Sequence, residues 1–179
     1  MIMKFKCFYE SPLGKIIITS DGENLTGLWF ENSRFIEDTN NYEFNDTLQL
    51  FCQTKTLLSD YFNGKQVDFS KLPVRLNDSN FRISVWKILQ KIPYGTIITY
   101  GDIAEIIAKE RGINKMSAQA VGGAVGHNPV SIIIPCHRVI GAGGNLTGYG
   151  GGIDKKIKLL ELEKVDLREL YIPKAGNAT

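Results

Sequence analysis

Three residues with reactive side chains stand next to one another in the second half of the chain. Cys136, His137 and Arg138 follow Pro135, and the apolar run before the proline, Ile132–Ile134, predicts a buried strand that ends there. A thiol at the end of a rigid strand, beside two groups that can carry positive charge, is a candidate for a nucleophile with a lowered pKa. A buried structural cysteine is the alternative, but the neighbouring residue types favour the nucleophile.

A glycine-rich segment, residues 141–152, follows the cysteine. Its glycines lack the spacing of a phosphate-binding loop, and no Lys-Ser or Lys-Thr pair comes after them. We therefore favour a flexible wall around a binding pocket over a plain surface hairpin. Tyr149 within this segment is able to stack on a flat ligand.

A last helix is predicted from about Ile153 to Lys164. Lys156 and Glu163 lie seven residues apart in it, so they project from nearly the same side, among leucines. Two ionisable groups on the edge of an apolar stripe are typical of side chains that extend their charges to solvent. They are also the groups with which a partly buried site would orient a histidine.

Two short helices before the cysteine indicate a helix-turn-helix. Thr99 is the predicted N-cap of a helix over Tyr100–Lys109, and Ser117 is the predicted N-cap of a helix over Ala118–Val125. The second helix is nearly bare, because alanine and glycine make up most of it. Such a helix allows another backbone to approach closely, and both a nucleic-acid groove and a neighbouring helix remain open as its partner.

The chain divides into two parts of different character, residues 1–77 and 78–179. Three short apolar runs separated by turn residues predict an antiparallel β-meander in the first part, followed by a helix. The second part is mostly helical and begins with a helix that stops before Pro93. The three predicted strands and the two helices are Met3–Tyr9, Gly14–Ser20, Leu25–Phe30, Leu48–Phe62 and Phe81–Lys91.

Composition limits the class of protein. No apolar run is long enough to span a membrane, and Met1–Lys6 does not lead into a signal peptide, so a cytoplasmic protein is expected. Three widely spaced cysteines form no disulfide framework, and Cys7 and Cys52 are expected to be small core residues. The two histidines have no metal-ligand spacing. Residues 80–179 hold 13 Lys+Arg against 8 Asp+Glu, which makes them the part where a polyanion would bind.

A series of motifs carries a resemblance to a known family. The run Ile134–Val139 resembles the active-site motif of the O6-alkylguanine-DNA alkyltransferases, also called methylated-DNA–protein-cysteine methyltransferases. Further motifs fall in that family's order and spacing over about residues 78–165, and the resemblance is weaker over the first part of the chain. These motifs are Trp86, Ile92–Gly95, Thr99–Ala104, Ala120–Gly122, Asn128-Pro129, Gly148-Tyr149 and Leu159–Glu163.

The resemblance implies both a fold and a function. The fold would be α+β, with a small N-terminal β-rich domain like ribonuclease H (1–77) and a mostly helical, winged-helix or helix-turn-helix catalytic domain (78–179) that binds DNA. The function would be DNA repair, in which O6-alkylguanine, and also O4-alkylthymine, is flipped out of double-stranded DNA. The alkyl group would pass irreversibly to Cys136 in a single turnover, without cofactor or metal, and the protein would act as a monomer.

Five residues match the family's catalytic positions. Cys136 would be the acceptor nucleophile, and His137 would take its proton through a water molecule. Glu163 would orient and charge-balance His137, with the logic of a hydrolase triad. Asn128 would brace the turn beside the cysteine, and Tyr100 would donate a hydrogen bond to guanine N3 as the base departs.

Other residues match the family's substrate-binding positions. The carbonyls of Cys136 and Val139 would accept from the exocyclic amine of the base. Tyr149 and Gly150 would close over the base, with the Gly150 amide aimed at O6. Lys156 matches a lysine near the catalytic tyrosine in relatives.

The predicted helix-turn-helix would supply the DNA contacts, since its second helix lies in the minor groove in this family. Gln119 departs from the family pattern, because many relatives have an arginine there that enters the base stack as the target leaves. Weaker or slower base extrusion is therefore expected, without loss of the chemistry. The residues expected to contact DNA are Ser117, Ala118, Gln119, Ala120, Gly122 and Arg138.

Three other classes of protein share parts of this pattern. A lesion-binding relative that transfers nothing lacks the acceptor cysteine, which this chain has. A helix-turn-helix regulator has no need for His137, Glu163 and Asn128 together. A cysteine hydrolase would have to use Cys136 and His137, but adjacent side chains are poorly placed for direct contact and no histidine follows downstream.

Overall fold

The first part of the chain folds into a four-stranded sheet, in a computed structural model that describes residues 3–173. The strands β1 (Phe5–Ser11), β2 (Gly14–Ser20) and β3 (Leu25–Phe30) form the predicted antiparallel meander. A two-residue strand that was not predicted, β4 (Glu43–Phe44), pairs in parallel with β1, so the strand order is β3-β2-β1-β4. β1 extends further than predicted because its last residue pairs across the turn with the first residue of β2.

Helix α1 (Gln49–Phe62) lies against β1 and ends where the sequence predicted. Its C-cap is Asn63, and Gly64 follows with φ of 81°, a left-handed conformation that glycine adopts without steric cost. The side chains on the inner face recur at helical spacing. They are Leu50, Phe51, Thr54, Leu58 and Tyr61.

Four α-helices and one pair of short strands are the main elements of the described residues in the second part of the chain. Helices α2, α3 and α4 precede the cysteine, and α5 follows it. The short strands β5 and β6 pair in parallel and bring the start of α3 next to the residues after the cysteine. The bounds are α2 Asn80–Leu89, β5 Ile98–Thr99, α3 Tyr100–Arg111, α4 Ala118–Gly126, β6 Val139–Ile140 and α5 Ile153–Leu162.

Caps fix the helix-turn-helix formed by α3 and α4. The hydroxyl of Thr99 accepts from the Asp102 amide while the Asp102 carboxylate accepts from the Thr99 amide, which is a complete capping box. The Ser117 hydroxyl caps α4 by accepting from the Ala120 amide at 3.2 Å. On the inner side, the indole nitrogen of Trp86 in α2 donates to the carbonyl of Ala124 at 2.8 Å, so α4 is held against α2.

The apolar run before Pro135 is not a strand, and that prediction is wrong. Ile132 has φ of 70°, and the Ile134 amide donates to the Val130 carbonyl at 2.9 Å, so the chain turns here. The three isoleucines are nevertheless buried. Burial explains the error, since an apolar run marks the core without fixing the backbone conformation. The proline then leads into a short 3₁₀ helix, Cys136–Arg138.

One apolar core joins the two parts of the chain. It contains residues from β1, β2, β3 and α1 together with residues from α2, α3, α4 and α5. Cys7 is fully buried in this core, as predicted. Cys52 lies on the outer face of α1 and is exposed, so the prediction of a core residue is wrong there. Within residues 3–173, no helix has the length and apolar character needed to cross a membrane.

Candidate active site

Cys136 begins the 3₁₀ helix, after a turn that Asn128 holds. The cysteine is almost fully buried, with 6% of its surface exposed. The Asn128 side chain donates from Nδ2 to the Ile134 carbonyl at 2.8 Å and accepts at Oδ1 from the Val130 amide at 3.0 Å. Both ends of the amide thus bind the backbone of the turn, which fixes the position of the residues leading to the thiol.

The Glu163 carboxylate, at the C-cap of α5, is the centre of a buried polar cluster. Its Oε1 accepts from the Tyr61 hydroxyl at 2.7 Å, from His137 Nε2 at 2.7 Å and from Arg138 Nη2 at 2.9 Å. Its Oε2 accepts from Arg138 Nε at 2.8 Å and from the Gly95 amide at 3.2 Å. Five donors use all the accepting capacity of an ionised carboxylate. The predicted pairing of His137 with Glu163 is therefore present in the structure.

The cluster determines where His137 carries its proton. Burial alone would raise the pKa of Glu163, but hydrogen bonds from His137 and Arg138 outweigh it and hold that pKa well below its usual range. An ionised Glu163 requires a donor at Nε2. Burial lowers the pKa of His137, which Glu163 opposes only in part, so the ring is neutral near pH 7. Nδ1 has no hydrogen-bond partner among residues 3–173 and is the free base of the cluster.

The thiol is not activated in this structure, and the prediction of a lowered pKa is wrong. Burial raises the pKa of Cys136, and hydrogen bonding from Asn128 and the charge of Lys156 offset only part of that effect. The sequence suggested activation by His137 and Arg138, but both side chains are directed at Glu163. The thiolate therefore has to form during the reaction, with a base at hand.

Arg138 is the charge partner of Glu163, and the prediction that it contacts DNA is wrong. Only 8% of the residue is exposed. Two of its N–H groups bind the carboxylate, and a third, on Nη1, donates to the Ile92 carbonyl at 2.6 Å. A carboxylate buried this deeply needs a compensating charge, which draws the guanidinium inward. The sequence places an arginine close to Cys136, but it does not predict the direction in which the Arg138 side chain points.

Tyr100 and Lys156 tie the glycine-rich loop to the site. The Tyr100 hydroxyl donates to the carbonyls of Thr147 and Gly148, at 3.2 and 3.1 Å. The Lys156 ammonium donates to the Thr147 carbonyl at 2.9 Å and to the Val139 carbonyl at 2.6 Å. Burial lowers the pKa of Lys156 to about 8 and raises that of Tyr100 to about 12. Lys156 is fully buried, so it does not extend its charge to solvent.

The glycine-rich loop closes the space in front of Cys136. Tyr149 and Gly150 line, together with the cysteine, a cavity of only about 20 Å³. Such a cavity has room for about one water molecule and not for a purine. The Gly150 carbonyl accepts from the Arg34 amide at 2.9 Å, so the loop is also attached to the segment after β3. A base can enter only if the loop moves.

The outer face of α4 is bare and lies next to this loop. Ser117 and the first three residues of α4 are exposed, whereas Val121 on the inner face is buried against α2 and α3. A methyl group added at Gly122 would lie 3.8 Å from the Tyr100 ring, so this face borders the site. Helices α2 and α3 pack against the inner face of α4, so its outer face remains exposed. The predicted DNA contacts on it are Ser117, Ala118, Gln119, Ala120 and Gly122.

Three residues of the site were missed in the sequence. Tyr61 lies three positions after Leu58 on the inner face of α1, and a buried tyrosine hydroxyl needs a partner, which was the available signal. Gly95 and Arg34 contribute backbone amides, whose hydrogen bonds cannot be predicted from the residue type. Across residues 3–173, no group of three or more His, Cys, Asp or Glu side chains is placed to hold a metal ion.

Comparisons with known proteins cover nearly the whole chain. The ribonuclease-like domain of 6-O-methylguanine DNA methyltransferase matches residues 4–76, and the DNA binding domain of the same protein matches residues 80–165. A methylated-DNA–protein-cysteine methyltransferase of Haemophilus influenzae is 39% identical over 179 residues, which are 100% of this chain and 94% of that protein. The Mycobacterium tuberculosis protein of the same name is 43% identical over 160 residues, 87% of this chain and 89% of that protein.

A solved structure agrees with these matches. The crystal structure of Mycobacterium tuberculosis OGT in complex with DNA has a TM-score of 0.78 and 39% identity, and the similarity covers 91% of this chain and 93% of that one. Fold and site together define an α+β alkyltransferase that binds DNA. The chain belongs to the 6-O-methylguanine DNA methyltransferase family and is a DNA repair methyltransferase. The resemblance in the sequence and the predicted α+β class are thereby confirmed.

Proposed function

We propose that the protein transfers the alkyl group of O6-alkylguanine, and of O4-alkylthymine, from double-stranded DNA to the sulfur of its own Cys136. Each molecule reacts once, because a thioether is not cleaved by the groups of this site. In this proposal the protein acts as a monomer and without a cofactor. The observation that carries the proposal is Nδ1 of His137, which has no hydrogen-bond partner among residues 3–173 and is a free base in the residue that follows the buried thiol. The names of the homologous proteins support the same reaction.

The His137–Glu163 pair supplies the base for this transfer. One water molecule between Sγ and Nδ1 carries the thiol proton to the imidazole. The buried imidazolium is then stabilised by Glu163, whose Oε1 lies 2.7 Å from Nε2. Because Arg138 already balances the carboxylate, the charge gained by His137 is balanced by the new thiolate of Cys136.

The bond changes balance without any further reactant. The thiolate attacks the alkyl carbon, the S–C bond forms, the C–O6 bond breaks, and its electron pair passes to the base. Tyr100 keeps its proton because burial raises its pKa to about 12, and it donates to N3 as negative charge develops on the leaving guanine. The proton released by the thiol neutralises that charge, so the products are alkylated protein and guanine.

The base reaches the site through two movements. The nucleotide rotates out of the duplex, at a cost of roughly a few kcal/mol. The loop around Tyr149 and Gly150 opens, because the closed cavity of about 20 Å³ does not admit a purine. Tyr100 then exchanges the loop carbonyls for N3 of the base. The bare face of α4 lies in the minor groove during these steps, since alanine and glycine let the backbones approach.

Mass spectrometry tests this proposal. After incubation with an oligonucleotide that contains O6-methylguanine, the protein is expected to gain one methyl group in place of one hydrogen, on the peptide that contains Cys136. Cys136→Ser should gain nothing, and the matched control Cys52→Ser, which removes an exposed thiol on the outer face of α1, should react like the wild type. Methyl transfer that persists undiminished in Cys136→Ser contradicts the proposal.

A further inference from the structure

Tyr61 reaches the catalytic cluster from the first part of the chain. It lies near the end of α1, and only 1% of it is exposed. Its hydroxyl donates to Glu163 Oε1 at 2.7 Å and lies 3.4 Å from His137 Nε2. Within the part of the chain that the structure describes, it is the one side chain from residues before 80 that bonds to Glu163 or His137.

The direction of this hydrogen bond is fixed. Burial, together with the nearby Glu163 charge, raises the pKa of Tyr61, so the hydroxyl keeps its proton. An ionised carboxylate only accepts, so the hydroxyl is the donor. Tyr61 and His137 therefore donate to the same oxygen of Glu163, and they share its negative charge.

The ring of Tyr61 is held independently of its hydroxyl. It packs edge-on against Phe62 and Tyr94, with ring centroids 5.5 and 6.3 Å away, and it lies 5.8 Å from the Phe69 ring. A phenylalanine would preserve all three contacts. The hydroxyl is therefore not needed to fill the core, and the bond to Glu163 is what distinguishes tyrosine from phenylalanine here.

We propose that Tyr61 is a positioning residue for the transfer reaction, through which the N-terminal part of the protein orients the Glu163 carboxylate toward His137. The inference rests on the proposed function, because it assigns Tyr61 a part in the same proton relay. The hydroxyl holds Oε1 in line with Nε2 and takes up part of its charge. The N-terminal part is then required for full reactivity and is more than a support for the C-terminal part.

The hydroxyl acts on two measurable properties. Without the hydroxyl, Glu163 keeps four of its five donors but loses one that fixes Oε1. Because a hydrogen bond to a charged group contributes about 1.5 kcal/mol, its loss is expected to slow methyl transfer about tenfold. The charge that Oε1 shared with the hydroxyl becomes available to the imidazolium, so the pKa of His137 rises. Among the described residues, the other charged groups that act on His137 are Glu163, Arg138 and Lys156, and the thiol of Cys136 precedes it in the chain.

Tyr61→Phe tests the proposal, with Tyr9→Phe as the matched control. Tyr9 is a half-buried tyrosine of β1 that stacks on Phe62 without reaching the relay. Two quantities are measured: the single-turnover methyl-transfer rate as a function of pH, and the titration of the His137 ring by NMR. Tyr61→Phe is expected to transfer about tenfold more slowly with unchanged DNA affinity, and to titrate His137 at a higher pH. Tyr9→Phe is expected to match the wild type in both.

The two proposals fail in different ways. If wild-type protein transfers no methyl group, the proposed function is refuted, while the NMR titration still decides whether Tyr61 acts on His137. If Tyr61→Phe has the wild-type rate and the wild-type His137 titration, the Tyr61 proposal is overturned. A slower rate with an unshifted titration, in step with a loss of thermal stability, also overturns it, because that result describes a purely structural tyrosine.

Discussion

Replacing Glu163 by glutamine isolates the charge that holds the polar cluster together. The side chain keeps its size, but one carboxylate oxygen becomes an NH₂ group that faces donors. Arg138, whose side chain is 10% exposed, then lacks its counter-charge. Breaking a buried ion pair from one side costs about 3–5 kcal/mol, a large fraction of a typical free energy of unfolding of about 5–15 kcal/mol.

The coupling between Glu163 and Arg138 is measured by urea unfolding of the wild type, Glu163→Gln, Arg138→Met and the double variant. Glu163→Gln is expected to lose about 3–5 kcal/mol, and the double variant Glu163→Gln with Arg138→Met is expected to be more stable than the sum of the single effects predicts, by about 2 kcal/mol or more. The difference between wild type and Glu163→Gln should shrink as the pH falls below the ordinary value of 4.5, because the folded-state pKa of Glu163 is lowered and its contribution is lost on protonation.

The exposed pair formed by Asp166 and Arg168 supplies the control. Asp166→Asn removes the same kind of charge at the surface and is expected to leave the unfolding free energy unchanged. A buried, coupled Glu163–Arg138 ion pair is refuted if Glu163→Gln loses less than about 1 kcal/mol, or if the two single effects simply add in the double variant.

Three further predictions concern the reaction, the DNA and the loop. The transfer rate should fall on acidification with an apparent pKa below 6.5, because burial lowers the pKa of His137 and the protonated ring accepts no proton. A rate that already falls with an apparent pKa above 6.5 contradicts the assignment of His137 as the base. Compared with Gln119→Ala, Gln119→Arg should bind DNA more tightly, depend more steeply on salt by about one phosphate contact, and transfer the methyl group faster. Equal salt slopes for the two variants contradict the placement of α4 on DNA. Gly151→Ala should lower the unfolding free energy by about 1–3 kcal/mol, because its methyl carbon would lie 2.8 Å from the Tyr149 ring. Gly150→Ala, whose methyl carbon would lie 3.7 Å from its nearest neighbour, should lower it less. Equal unfolding free energies for the two variants contradict the packing of Gly151 against Tyr149.

Local signals in the sequence were enough for many elements of the fold. The bounds of β2 and β3 and the start of α3 and α4 were predicted correctly, because turn residues and N-caps act on residues only a few positions away. The strand expected at Ile132–Ile134 failed, since its apolar residues reflect burial in a turn. β4 was missed because a two-residue strand exists only through its pairing with β1.

The candidate site shows the same division between local and long-range information. The pairing of His137 with Glu163 followed from the resemblance to a family and is present in the structure. The inward direction of Arg138 and the hydroxyl of Tyr61 depend on contacts between residues 25 and 102 positions apart, which no local pattern encodes. The raised pKa of Cys136 has the same origin, because burial is a property of the assembled core.

The number of methyl groups that one protein molecule accepts distinguishes a single-use acceptor from an enzyme that turns over. With an excess of DNA that contains O6-methylguanine, repair is expected to stop at one guanine restored per protein molecule. Peptide mapping is expected to find the methyl group on Cys136 and on no other residue. Repair that continues beyond one equivalent, or a methyl group found on Cys7 or Cys52 instead, would contradict the assignment of Cys136 as the single-use acceptor.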